Sequence, residues 1–249
     1  MSLSRFYLAA DQWSEGGVMR LGEEEAHHCT RVLRKRVGDE VEVFDGCGRV
    51  ARSRILVAKK DDVVVQVELE RRHEALGHEV HVLPALIKGE AFEWLLEKAV
   101  ELGAASVRPV ITANSVVQWD AAQGEKKMAK WRRHMLEAAK QCHTPFLPEL
   151  REPVVLAEAL GDSEGEMLML VPALFGEVRS LAGAVGEWGL GSRRAMVLIG
   201  PEGDFLVEEL AAAVAAGFQP VTLGPLILRA ETAVVATLAF LTQVWVGKE

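Results

Sequence analysis

The residues best suited to chemistry lie towards the carboxy-terminal end of the 249-residue chain, in two stretches built alike. A short apolar run, Met196 to Ile199, has strand length and stops at Gly200-Pro201-Glu202-Gly203, a turn that no helix interior tolerates. Pro220 to Leu223 is a second such strand; it stops at Gly224-Pro225 and leads through Leu226-Ile227-Leu228-Arg229 into a last helix from Glu231 to Val246. Gly200 and Gly203 let a ligand approach the main chain closely, backbone amides after a strand grip polar groups, and Leu223, Leu226 and Ile227 offer an apolar floor. That combination suits a flat, partly polar cofactor such as an adenosyl group; equally, glycine and proline there serve simply to turn the chain. Arg229 is the only basic residue between Arg194 and Lys248. Such an arginine is either held in a structural ion pair or faces an anionic or carbonyl-rich ligand. Its neighbours Glu231 and Thr232 are ordinary first-turn residues of a helix.

Other motifs carry less. Gly46-Cys47-Gly48 follows a strand but precedes another strand, so it fails the context of a dinucleotide fingerprint. His27-His28-Cys29 has no matching pair at zinc spacing and reads as the end of a short helix, and no metal is expected. No nucleophile elbow or Walker loop is present. The block Arg31-Val-Leu-Arg34-Lys35-Arg36 has four basic residues in six, a density that suits phosphate-backbone contacts and favours RNA.

The elements that must position these residues fall into two textures. Residues 1–72 read as a small β-rich unit: strands at Arg5 to Leu8, Glu40 to Phe44, Arg49 to Ala58 and Val63 to Leu69, with a helix between Gly22 and Leu33. Short strands at this spacing predict a small barrel. After a polar, glycine-containing linker, residues 73–249 alternate strands and helices. Strands start at Val80, Val107, Met167, Met196 and Pro220; helices run from Glu90 to Leu102, Lys126 to Cys142 and Leu206 to Ala215. Alternation of this kind predicts a parallel sheet covered on both faces, an α/β fold, with ligands at the carboxyl ends of the strands.

The bulk numbers agree with a globular protein of this size, with 49% hydrophobic and 26% charged residues. The first 72 residues carry 13 of the 28 Lys+Arg and 13 of the 36 Asp+Glu, so the whole net charge of −8 arises beyond Arg72. Three scattered cysteines fit reduced thiols better than a disulfide framework. No apolar run approaches a membrane span, and the first residues lack a signal-peptide pattern, so a cytoplasmic protein without a membrane partner is expected.

Taken together these residues resemble the ribosomal RNA small-subunit methyltransferase E family, SPOUT-class enzymes that use S-adenosylmethionine to methylate N3 of a uridine in 16S rRNA. The likeness runs nearly end to end: Arg5-Phe6, His28, Val32-Leu33-Arg34 and Phe44-Asp45-Gly46; Lys88-Gly89, Lys98 and Glu101-Leu102-Gly103; Trp131, Glu137-Ala138 and Gln141; and above all Gly200-Pro201-Glu202-Gly203 with Ile227-Leu228-Arg229-Ala230-Glu231-Thr232-Ala233. Departures stand at Asp204, where the family usually has a second glycine, and at Leu226 and His143-Thr144, where it has arginines.

The resemblance implies a PUA-like N-terminal barrel over residues 1–72 and a SPOUT methyltransferase domain with a trefoil knot over 73–249. It implies S-adenosylmethionine held by Leu198, Ile199, Gly200, Pro201, Gly203, Leu223, Gly224, Ile227 and Leu228. Arg229 is then expected to stabilise a developing uracil anion, with Glu231 or Glu202 taking the proton. Arg5, His28, Arg31, Arg34 and Arg36 would contact 16S rRNA or the small ribosomal subunit. A homodimer is implied too, and the apolar positions Ala233, Val234, Ala236, Thr237 and Phe240 of the last helix offer surface for it. The alternative is a non-catalytic RNA-binding or ribosome-assembly factor with a vestigial donor pocket.

Overall fold

A computed structural model describes residues 3–115, 117, 119–161, 166–189 and 191–246. The chain divides into two compact units, one formed by Met1–Ala75 with Ala139–Leu147, the other by Leu76–Ala138 with Pro148–Glu249.

In the first unit the strands β1 (Arg5–Tyr7), β2 (Val18–Arg20), β3 (Glu40–Phe44), β4 (Arg49–Lys59) and β5 (Asp62–Arg72) form one sheet in the order β1-β3-β4-β5-β2. Neighbours are antiparallel except β1 and β3, which run parallel with Arg5 opposite Glu42. Period-two alternation explains the sheet's two faces: in β3, Val41 and Val43 are buried while Glu40 and Glu42 are half-exposed. Val41 and Val43 join Phe6, Leu8, Ile55 and Val65 in one core. Helix α1 (Glu23–His27) carries three glutamates in its first turn, where the helix dipole favours them, and widens into a π-type turn over His28–Val32. Strand β2 lies in a stretch, Val18-Met-Arg20, that sequence reading leaves unassigned; only Met19 of the three is buried, too little for a periodicity signal.

Residues 139–147 cluster with this unit, whereas the sequence division at 72/73 keeps them in the second domain. Specific bonds account for this. Arg5 Nη1 donates to the carbonyl oxygens of Ala139, 3.2 Å, and Thr144, 2.8 Å, and Lys140 pairs with Glu25. Gly48, at φ +100°, leaves room for Phe146: a Cβ there would lie 2.8 Å from the ring.

The second unit is a seven-stranded parallel sheet. Its elements in chain order are β6 (Glu79–Pro84), α2 (Gly89–Glu101), β7 (Ser106–Val107), β8 (Val110–Ile111), α3 (Ala121–Cys142, which ends in the first unit), β9 (Glu149–Leu150), β10 (Val154–Val155), α4 (Leu156–Ala159), β11 (Leu168–Pro172), β12 (Arg179–Ser180), α5 (Leu181–Trp188), β13 (Arg194–Ile199), α6 (Val207–Ala215), β14 (Gln219–Thr222) and α7 (Ala230–Val246). The sheet order is β12-β14-β11-β13-β6-β7-β9, and β8 pairs separately with β10. The two late strands are therefore inserted between earlier ones: β13 lies between β11 and β6, and β14 between β11 and β12. Interior strands of such a sheet are buried on both faces, and in β13 all but Arg194 are buried.

The helices end where local chemistry dictates. Gly103 takes φ +72° after α2, and Gly217 takes φ +101° after α6. His143 fills the same left-handed position after α3, at φ 60°. In α6 the buried residues are Leu210 and Ala213; Leu206 and Val214, which lie one turn either side of Leu210, are 42% and 46% exposed. Leu206 precedes the helix as its N-cap, which turns its side chain away from the stripe.

Candidate active site

The loops that follow β11, β13 and β14 converge on one cleft at the carboxyl ends of those strands, part of it open to solvent. This is the position in which open α/β sheets bind small ligands. From the β13 loop the walls are Ile199, Gly200, Pro201, Glu202 and Asp204. The β14 loop supplies Leu223, Gly224, Leu226, Ile227 and Leu228, and Ala230 and Ala233 of α7 close one side. The β11 loop adds Pro172, Ala173 and Leu174.

The β13 loop is tightly built. Asp204 N donates to Pro201 O at 2.9 Å, closing a turn. Asn114 Nδ2 donates to Gly203 O, 3.1 Å, and Asp204 O, 2.9 Å. Glu209 accepts from both Ala113 N, 2.8 Å, and Leu206 N, 2.9 Å, so one carboxylate fastens the 113–114 turn and caps α6. Gly200 packs closely: a Cβ there would sit 3.0 Å from the buried Phe205 ring, which would have to give by a few tenths of an ångström. On the other wall, Thr222 Oγ1 accepts from Gly224 N at 3.2 Å, and Gly224, at φ +135°, has nothing within 4 Å of where a Cβ would be. Its backbone is therefore open to an approaching group.

Of the residues expected to hold a cofactor, Ile199, Gly200, Pro201, Leu223, Gly224, Ile227 and Leu228 line this cleft. Leu198 does not. Strand alternation turns its fully buried side chain into the sheet's core with Leu83, Val110 and Phe205. Gly203 is also absent from the walls; it is the outer corner of the turn and backs onto Asn114. Of the expected catalytic residues, Glu202 lines the cleft, whereas Arg229 and Glu231 do not. Arg229 is exposed and stands between the lining residues Leu228 and Ala230, with its carbonyl oxygen accepting from Ala233 N at 2.8 Å as the first bond of α7. Glu231 is half-buried in that helix's first turn. Sequence reading missed the β11 loop, although Pro172 at the end of a buried strand carries a signal like that of the other two loops.

The walls mix backbone, aliphatic side chains and carboxylates: Glu202 and Asp204 are the charged residues among the lining residues described, and no basic residue is among them. A ligand with a flat face, polar edges and positive charge fits that set.

In the first unit, Arg31, Arg34 and Arg36 are exposed and His28 is half-buried, its ring edge-on to Phe6 at 6.2 Å. Arg5 requires a correction. It is 6% exposed, pairs with Glu42 at 2.8 Å, lies over the Phe44 ring and donates to two carbonyl oxygens. Burial lowers its pKa, opposed by Glu42 and Cys142. Its guanidinium is thus a structural tie and is not free for a phosphate.

Residues 74–242 match the RNA methyltransferase domain and residues 21–68 the RNA methyltransferase PUA domain. Ribosomal RNA small subunit methyltransferase E of Mycobacterium bovis is 30% identical over 227 residues, 90% of this chain and 85% of that protein. The protein of the same name from Synechocystis is 29% identical over 94% of this chain and 76% of its own length. Among solved structures, a Legionella pneumophila methyltransferase in complex with SAM superposes with a TM-score of 0.89 at 28% identity, and ribosomal RNA small subunit methyltransferase E of Neisseria gonorrhoeae, bound to S-adenosyl methionine, with 0.87 at 28%; each match covers 98% of both chains. These likenesses do not favour the catalytically silent alternative. Among the described residues no helix is long and apolar enough to cross a membrane. A domain match over more than half of the chain, and a relative of this identity aligned along most of both sequences, show that the chain belongs to the ribosomal RNA small subunit methyltransferase E family.

Proposed function

We propose that this protein is an S-adenosylmethionine-dependent methyltransferase acting on N3 of a uridine in 16S ribosomal RNA, with the donor seated in the cleft at the ends of β11, β13 and β14. The observation that carries this reading is the convergence of three strand-end loops on one cleft walled by backbone, aliphatic side chains and two carboxylates, with Arg229 flanked by two of its lining residues. When bound, the donor supplies an already activated methyl group, so the protein's task is placement and electrostatics. Backbone groups around Gly200 and Gly224 hold its polar edges, and Leu226, Ile227 and Leu228 cover its flat face.

Uracil N3 carries a proton at neutral pH, so its loss needs assistance. Arg229 stabilises the resulting negative charge through a uracil carbonyl oxygen, and Glu202 or Glu231 accepts the proton. The first unit holds RNA through Arg31, Arg34 and Arg36, with His28 beside them. A homodimer, a trefoil-knotted chain path and a cytoplasmic location belong to the same reading. Two features support the dimer: Leu226 and Ile227 are 75% and 78% exposed, and Ala236 and Phe240 of α7 are only half-buried. Ala233, Val234 and Thr237 are already buried within the protomer and do not supply that surface. The chain path is supported by the insertion of β13 and β14 between earlier strands.

The test is mass mapping of methylated nucleosides in 16S ribosomal RNA from cells with and without the protein. The expected result is one N3-methyluridine that disappears with it and returns on incubation of unmodified subunits with protein and donor. An unchanged nucleoside map sinks the assignment. Mass measurement in solution at micromolar protein tests the dimer, and a monomer there overturns it.

A further inference from the structure

We infer that Asp204 is a ligand-binding residue of the donor cleft, with one carboxylate oxygen reserved for a positively charged or hydrogen-bond-donating group of S-adenosylmethionine. The inference rests on the donor assignment above and adds a specific residue to it.

Nearly every polar atom of Asp204 has an evident structural use. Its N–H donates to Pro201 O at 2.9 Å, its carbonyl oxygen accepts from Asn114 Nδ2 at 2.9 Å, and its Oδ1 accepts from Phe205 N at 2.8 Å. Oδ2 is the exception: it is shut off from water and has no hydrogen-bond partner among the described residues. A carboxylate oxygen in that condition is costly unless something else meets it. The residue also sits at φ 57°, in the left-handed region that non-glycine residues occupy only at a cost. Two unfavourable features in one residue call for a compensation, and strained, unsatisfied residues cluster at ligand clamps. Asp204 is a cleft wall, and its Oδ1 lies 3.3 Å from where a Gly200 Cβ would be, so the carboxylate stands over the glycine that opens the β13 loop. With Glu202 it gives the described walls negative charge and no balancing base. The donor has a sulfonium and an ammonium, each able to meet that charge, and ribose hydroxyls able to donate to it.

The variants Asp204→Asn and Asp204→Gly test this on the full chain. Asparagine tolerates left-handed backbone and glycine adopts it freely, so both are expected to fold. Calorimetric titration with S-adenosylmethionine and, separately, with its demethylated thioether product gives the readout. Loss of a hydrogen bond to a charged partner predicts a fall in donor affinity of about tenfold or more in both variants. If donor binding falls and product binding does not, Oδ2 meets the sulfonium; if both fall alike, it meets the ammonium or a hydroxyl, and either result supports the assignment. A residue with only a structural role would leave both affinities alone, and that outcome overturns the inference while leaving the cleft assignment standing. Failure of the wild-type protein to bind either compound would instead overturn the cleft assignment and this inference with it.

Discussion

Asn114 holds the corner of the β13 loop by its main chain: its Nδ2 donates to Gly203 O at 3.1 Å and also to Asp204 O at 2.9 Å. The turn that carries Asn114 is itself held: Thr112 N donates to Ser115 Oγ at 3.0 Å and Ala113 N to Glu209 Oε1 at 2.8 Å. Replacing Asn114 by alanine removes both bonds and leaves two carbonyl oxygens to find water. The expected cost is about 1–2 kcal/mol in donor affinity, or roughly five- to thirtyfold in Kd, by calorimetry. An unchanged Kd would show that the turn keeps its form through Glu209 alone.

Arg229 gives a different signature because it flanks the cleft and does not line it. Arg229→Ala is expected to lower kcat about 10²- to 10³-fold, as for loss of one group that stabilises transition-state charge, with the donor Kd unchanged. Arg229→Lys keeps the charge but not the planar fork, and is expected to recover only part of the rate. Single-turnover methylation of ribosomal RNA measures both, and a parallel loss of donor binding would make Arg229 a cofactor residue instead.

The parts of the site that show in sequence are those whose chemistry is backbone-local. Gly200-Pro201 and Gly224-Pro225 can only be turns, and turns after buried strands belong at the ligand end of an α/β sheet. Asp204 is opaque for the opposite reason. Its turn is held by Asn114, ninety residues away, and its Oδ2 is closed off by the surrounding fold; no spacing rule encodes either. Arg5 misleads in the same way: an arginine beside a strand reads as a phosphate ligand until its partners Ala139 and Thr144 are known. The amphipathic stripe of α6 is a subtler case, because Leu206 has the period of a buried residue but stands at the N-cap.

Arg34 and Arg36 are exposed, and charge reversal at both is expected to weaken RNA binding at every sequence. If each meets one phosphate, the slope of log affinity against log salt falls by about 1.4 for single-stranded and about 1.8 for duplex contacts. Filter binding at several salt concentrations reads this directly. An unchanged slope would remove these two arginines from the RNA face.

Arg5→Ala is expected to act on stability and not on the salt slope. It strands Glu42, which is partly solvated, and frees the Ala139 and Thr144 carbonyls, so about 2–4 kcal/mol is expected, below the full cost of a wholly buried pair. Urea denaturation followed through the first unit's fluorescence measures it. Salt dependence of RNA binding by the remaining folded protein should match wild type.

His78 makes the second unit sensitive to acid. The side chain is buried beside Trp245, with ring centroids 6.2 Å apart, and its Nε2 has no hydrogen-bond partner among the described residues. Burial pushes its pKa below the usual 6.5, and Arg193 pushes it the same way. His81 is lowered too, chiefly by burial, with Glu79 opposing. The unfolded chain therefore takes up protons near pH 6.5 that the folded chain refuses, and stability must rise with pH wherever that difference exists. Stability from these two histidines is complete above about pH 6.5–7 and declines as pH falls through the unfolded-state value, levelling off only below the folded-state values. His78→Gln cannot take up the proton, so its denaturation midpoint should fall less steeply than wild type between about pH 7 and 5. Urea midpoints across that range decide the matter: parallel lines for the two proteins would mean that His78 is protonated as easily in the folded chain as in the unfolded one.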